Sequence, residues 1–269
     1  MAPFYAIICG AGPGLGRSVA LRFAQAYPFV ILLSRSQSSY QPIVDEINSK
    51  SITPSADSGS KATTTRAIGF SSDASDPEAV ASVFDKVRAG ADGFLPQDAK
   101  LAVALFNVNA GLVMKPFLET KVEDLDFGLA IPARGLYLFA QQALPLLQTS
   151  ISASPVNPPT LLITGATASL RGSAKFGTFA AGMFAQRALG QSLAREFGPK
   201  GVHVALAVID SGIDGPRMRA MLGEDAKKAV EEDKVMSPDA IAESHWHLHA
   251  QHRSSWTQEL DLRPWQEKF

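Results

Sequence analysis

The sequence predicts an α/β fold, a single doubly wound parallel sheet of seven strands with helices on both faces. Three observations predict it. Short apolar runs alternate with segments of helical spacing along all 269 residues, the pattern of repeated β-α-β units. A glycine-rich turn, "CGAGPGLGR", separates the first strand from the first helix. No internal repeat interrupts the alternation, so residues 1–269 read as one domain.

The elements follow in order. "YAIICG" is the first strand, and "GRSVALRFAQA" has the apolar spacing of a helix. "FVILLS" is the second strand and "SYQPIVDEIN" the second helix. Residues 48–65, rich in Ser, Thr, Gly and Pro, predict a flexible insertion loop. "TRAIGF" is the third strand, and "DPEAVASVFDKVRA" a helix with Asp76 as cap and Pro77 in its first turn. "KLAVALFNV" reads as a buried fourth strand. A long helical region with Pro132 inside it follows, "VEDLDFGLAIPARGLYLFAQQALPLLQ". "PTLLITG" is the fifth strand, "FAAGMFAQRALGQSLAREFG" a helix, and "VHVALAVI" the sixth strand. "GEDAKKAVEEDK" predicts a charged surface helix, "SPDAIAESHWHLHAQ" a helix capped by Ser237, and "SWTQELDLRP" the last strand.

Composition narrows the function classes. Hydrophobic residues are 46% and charged residues 19%, enough for a large core. A net charge of −1 carries no electrostatic footprint for nucleic acid. No apolar run is long enough to predict a membrane span. One cysteine, Cys9, excludes an internal disulfide and fits a reducing compartment. The expectation is a soluble cytoplasmic protein with no nucleic-acid or membrane partner.

The glycine turn carries the first chemistry. Gly10, Gly14 and Gly16, with Leu15 between them, lie where backbone N–H groups can approach a pyrophosphate at a helix N-terminus. This makes the domain Rossmann-type. An acidic residue about 20 positions on would hold the ribose hydroxyls of NAD. Here "LLSRS" puts Ser34 and Arg35 at the end of the second strand. A carboxylate repels a 2′-phosphate, whereas arginine pairs with it bidentately. The expected cofactor is therefore NADP(H), with Arg17 as a second phosphate candidate.

Further motifs follow at family spacing: "SSDASD" after the third strand, "NVNAG" after the fourth, and "REFGPKGVHVALAVI" into the sixth. With the glycine turn they make the chain resemble the short-chain dehydrogenase/reductase family over essentially its whole length. The resemblance implies that Asp73 contacts the adenine and that Asn109, Ala110 and Gly111 line the cofactor cleft. It implies a homodimer or homotetramer. It also implies an active site of Asn, Ser and a Tyr-x-x-x-Lys pair, and this sequence departs from it at every position. Pro132 stands for Asn, Ala166 for Ser, Phe179 for Tyr and Met183 for Lys.

Phenylalanine has no proton to give and methionine no charge. The site reads as apolar, with Phe176, Phe184 and Met114 added to the substituted positions, and suits a hydrophobic small molecule. Three readings stay open. One is an NADP(H)-dependent oxidoreductase with a non-standard site. Its substrate would need no proton as hydride arrives, such as an iminium ion or an activated carbonyl, or another residue would be the acid. Asp210 and Thr167 are the chosen catalytic candidates, ahead of Thr164, Lys175 and Arg134. The second is a redox-neutral cyclase, isomerase or dehydratase. The third is a non-catalytic nucleotide-sensing or partner-binding protein.

Other features read as structural. His245, His249 and His252 recur at helical spacing without a carboxylate or cysteine beside them, so a helix face, at a subunit contact for example, outweighs a metal site. Cys9 reads as a small buried hydrophobe. Trp246, Trp256 and Trp265 read as packing for the last segment. "SGIDGPRMRAML" is the candidate substrate-specificity loop.

Overall fold

The computed structural model describes residues 2–50, 52–54, 64–108, 111–153 and 156–267. Seven strands form one sheet: β1 (Phe4–Cys9), β2 (Phe29–Ser34), β3 (Arg66–Ser71), β4 (Lys100–Phe106), β5 (Thr160–Ala166), β6 (His203–Ile209) and β7 (Glu259–Leu262). Their order is β3-β2-β1-β4-β5-β6-β7, and every pairing is parallel. The order reverses direction between β1 and β4, where a doubly wound sheet opens a crevice at its carboxyl edge.

Strand periodicity divides the core. In β1, Tyr5, Ile7 and Cys9 pack on one face while Phe4, Ala6 and Ile8 pack on the other. The first face is covered by α3 (Pro77–Arg88), α5 (Leu136–Ser150) and α6 (Gly177–Phe197), the second by α1 (Leu15–Ala24), α2 (Gln37–Ser49) and α9 (Pro238–His249). In β4, Ala102 and Val103 both pack on the second face, next to a register shift against Tyr5 and Ala6 of β1. An extra residue in one strand has this effect. Asp76 caps α3 by accepting from the N–H groups of Glu78 and Ala79, and Ser237 caps α9 through that of Ala240.

The structure corrects three expectations. The long helical region is two helices, α4 (Val122–Leu129) and α5, joined by a π-helical turn over Ala130–Gly135. Pro132 lies in that turn, has no N–H to donate, and widens the winding. The expected loop 48–65 is shorter, because α2 extends through Ser49. At its other end Thr65 is buried, its hydroxyl bonded to the carbonyl of Ala24 and its N–H to that of Ile52; residues 51 and 55–63 lie outside the described residues. The three histidines do not share a face. His245 and His249 are buried, and His252 follows the helix and is exposed.

Of the last-segment tryptophans, Trp246 meets Phe23 of α1 edge-on and Trp256 stacks on His203, while Trp265 is exposed. The segment after β6 holds α7 (Pro216–Leu222) and α8 (Ala226–Glu231), the latter within the expected charged surface stretch. Among the described residues no helix is long and apolar enough to cross a membrane, and no group of three potential ligands is placed to hold a metal.

Candidate functional site

A cleft of about 660 Å³ opens at the carboxyl edge of the sheet, at the switch between β1 and β4. The glycine turn forms one wall. Gly10 has a φ of +91°, and a Cβ built there would stand 2.1 Å from the Asn107 carbonyl oxygen, so only glycine fits. Nothing lies within 4 Å of the Cβ positions of Gly12 and Gly14, which leaves their backbone open to a ligand. No side chain caps α1, and no acid sits in its first turn. The head of this helix is therefore free to meet an anion.

Leu15, Gly16, Ser34 and Arg35 line the same cleft. No carboxylate forms an ion pair with Arg35 among the described residues; it acts on Asp73 only at longer range. Arg17 is engaged elsewhere. Its Nε and Nη2 donate to the two Glu46 oxygens at 2.7 and 2.6 Å, and these bonds hold the Glu46 carboxyl below its usual range.

Not every expected cofactor residue reaches the cleft. Asp73 does not line it. Its Oδ1 accepts from the Ser75 backbone N–H at 2.8 Å and from the Ser75 hydroxyl at 2.7 Å, and these bonds keep the carboxyl acidic. Ser72 and Ala74, on either side, are the lining residues. Gly111 packs beneath the Phe127 ring instead. Asn109 and Ala110 lie outside the described residues. Sequence reasoning missed Asn107 and Val108, which line the cleft at the end of β4, although that strand end was itself readable.

The opposite half is apolar. Ala166, Phe179 and Met183 line it, joined by Leu112 and Ile131. Pro132 is buried against α6: a Cβ at Gly182 would meet the Pro132 ring at 2.7 Å and the Gly128 carbonyl oxygen at 2.0 Å. Pro132 thus packs on α6 next to Met183 but does not line the cleft itself, whereas the other three substituted positions do. Phe184 and Met114, expected in the pocket, are 43% and 62% exposed, and Phe176 caps α6; none of the three lines the cleft. The segment after β6 does, through Ile213, Met218 and Met221.

The candidate proton donors do not converge. Asp210 is buried at the end of β6, 3.5 Å from Arg263, and lies outside the cleft lining. Thr167 donates its hydroxyl to the Ile209 carbonyl at 3.3 Å and also stays outside. Lys175 and Arg134 are exposed and do not line it. Asp214 lines the cleft, but both its oxygens are held by Arg219 at 2.7 and 2.8 Å, which keeps the carboxyl ionised.

Thr164 does line the cleft, and its partner is informative. Its Oγ1 lies 3.2 Å from Nε2 of His245, whose Nδ1 is 2.9 Å from the Ile241 carbonyl oxygen. A carbonyl only accepts, so Nδ1 carries the proton and Nε2 accepts from Thr164. Burial holds His245 neutral, its pKa lowered to about 4. The Thr164 oxygen is left with lone pairs, an acceptor in an otherwise apolar region. Cys9 is also in the wall as a protonated thiol, burial pushing its pKa up to about 12.

Comparison with known proteins agrees with this architecture. The very-long-chain 3-oxoacyl-CoA reductase of Lodderomyces elongisporus is 24% identical over 206 residues, 76% of this chain and 53% of that protein. The chain thus spans about half the length of that curated relative. A short-chain dehydrogenase from Rhodopseudomonas palustris superposes with a TM-score of 0.72 at 27% identity, covering 97% of this chain and 99% of that one. A metagenomic short-chain oxidoreductase solved in complex with NADP gives a TM-score of 0.72 at 19% identity, over 99% of both chains. The family model described as short chain dehydrogenase matches residues 5–227, on the glycine turn and parallel sheet described above, and the chain belongs to that family.

Proposed function

We propose that the protein is an NADP(H)-dependent oxidoreductase acting on a hydrophobic small molecule whose reduction needs no proton at the moment of hydride transfer. One observation carries the reading. A single cleft joins an open glycine turn and Arg35, which pairs with no carboxylate among the described residues, to a reacting end made of Ala166, Phe179 and Met183. The bare backbone of Gly12 and Gly14 fits a diphosphate, and the Arg35 guanidinium fits a 2′-phosphate. Structures of the same fold hold NADP or NADH, which supports a nicotinamide dinucleotide in this cleft. When bound, the cofactor supplies hydride.

The residues of this chain do the rest by exclusion and positioning. A positioned acid is worth about 10²–10⁴-fold in rate, roughly 3–5 kcal/mol of barrier. No titratable side chain at the reacting end supplies it among the described residues. An acceptor such as an iminium carbon takes hydride and becomes a neutral amine without a proton, and an apolar wall keeps water from hydrolysing it. The Thr164 oxygen accepts from an N–H or O–H of the substrate. The four substituted positions equally suit a redox-neutral reaction in the same pocket, the second reading.

Titration of the full chain with NADPH and NADH tests the proposal. NADPH is expected to bind at least tenfold more tightly, about 1.4 kcal/mol, and Arg35→Ala to abolish that preference. A protein that binds neither nucleotide refutes it. A protein that binds NADPH but never oxidises it with any iminium or activated carbonyl favours the redox-neutral reading. We retain a homo-oligomer in the proposal, supported by the exposed Phe127, Tyr137 and Phe184 on α4, α5 and α6; a monomer by sedimentation removes it.

A further inference from the structure

Arginines near the cleft are mostly committed. Arg17 holds Glu46, Arg187 holds Glu259, Arg219 holds Asp214, and Arg263 holds Asp210 and Asp261. Arg217 is different. It lines the cleft from α7, is exposed, and has no carboxylate partner among the described residues. Asp214 is the nearest acid in its own segment, and Arg219 already occupies both of that carboxylate's oxygens. Among the described residues the charge on Arg217 is therefore uncompensated on the cleft wall.

Its place is specific. Gly215, two residues before it, lies against the glycine turn: a Cβ built on Gly215 would stand 3.4 Å from the Gly14 Cα. Gly14 is the residue at the head of α1, where no side chain caps the helix. Two residues of chain span at most about 7 Å, so Arg217 starts close to the turn that faces open space at Gly12 and Gly14. Phe179 and Met183, where substrate would react, lie on a different element of the wall. Arg217 is thus within reach of an anion lodged on the turn at the head of α1.

We propose that Arg217 grips the diphosphate of the bound dinucleotide, so that α7 clamps the cofactor bridge. The proposal rests on the NADP(H) reading above. Guanidinium forks pair with phosphate oxygens bidentately, through charge-assisted bonds stronger than neutral ones. The diphosphate is common to NADPH and NADH, whereas the 2′-phosphate belongs to NADPH alone. The two arginines therefore have separable effects.

The test is calorimetric titration of the full chain and its Arg35→Ala and Arg217→Ala variants with NADPH and NADH. Arg217→Ala is expected to weaken both nucleotides by the same factor, about tenfold or more. Arg35→Ala is expected to weaken NADPH alone. Unchanged affinity for both nucleotides in Arg217→Ala overturns the clamp, as does a loss confined to NADPH. A variant with normal nucleotide affinity and a raised substrate KM overturns it too, and assigns Arg217 to an acidic group of the substrate. A wild-type chain that binds neither nucleotide overturns the NADP(H) reading and the clamp together, so the two failures are distinguishable.

Discussion

Phe179 and Met183 stand four residues apart on α6 and both face the cleft. Phe179→Tyr with Met183→Lys is therefore expected to create NADPH-dependent reduction of simple ketones, by about 10²-fold or more over the parent, read from the loss of NADPH absorbance. Absence of any gain means the reacting carbon is not held near α6. Gly10→Ala is expected to cost about 2–4 kcal/mol in urea unfolding, from a left-handed backbone and a contact with the Asn107 carbonyl. Residue type and spacing single out the glycines, Arg35, Ala166, Phe179 and Met183, which the structure places along one cleft. The Thr164–His245 bond was not legible, because it joins residues 81 positions apart on different elements. Nor was the local engagement of Asp73 legible. Its acidic side chain looked available, and a local turn through Ser75 engages it.

At the scale of elements, strands and capped helices were readable because each carries its own period or cap. The α4–α5 region was not. Its apolar residues run through the π-helical turn without a gap, so the hydrophobic pattern shows no boundary. Pro132 was visible, but its effect depends on α6 lying against it at Gly182. Gly182→Ala is expected to destabilise the fold by about 1–3 kcal/mol and to shift α6, weakening nucleotide and substrate binding together. A variant with wild-type urea midpoint would show that the crossing of α4 and α6 has room to spare. The segment singled out after β6 holds α7 and reaches the cleft wall, yet composition alone could not show that Gly215 lies against Gly14.

At the scale of the molecule, the buried histidines make stability fall as the pH drops below neutral. Burial lowers the pKa of His245 to about 4 and that of His249 to about 3, and lowers that of His203. His249 stays neutral between the Tyr27 hydroxyl and the Thr160 hydroxyl. In the unfolded chain these groups titrate near the ordinary value of about 6.5. The unfolded state therefore binds more protons as pH falls below about 6.5. The stabilisation is complete above that value and is lost progressively toward pH 4. Each such histidine contributes a slope of up to about 1.4 kcal/mol per pH unit. Urea midpoints at pH 7, 6 and 5 are expected to fall together with no change in m-value. A flat profile would mean the histidines are protonated in the fold.

The sheet ends at β7, and that short strand has a protective consequence. Seen from β6, β7 is a shield. All seven residues of β6, "HVALAVI", are buried, and six of them are apolar. Glu259 and Asp261 put carboxylates on the outermost strand, paired with Arg187 and Arg263. Charged residues on a short outer strand deter pairing with other chains. Removing residues 256–269 would expose a long, uncharged, largely apolar edge to every other copy in solution. Such a truncated chain is expected to precipitate through intermolecular strand pairing, scored by thioflavin fluorescence, rather than to unfold into soluble monomers.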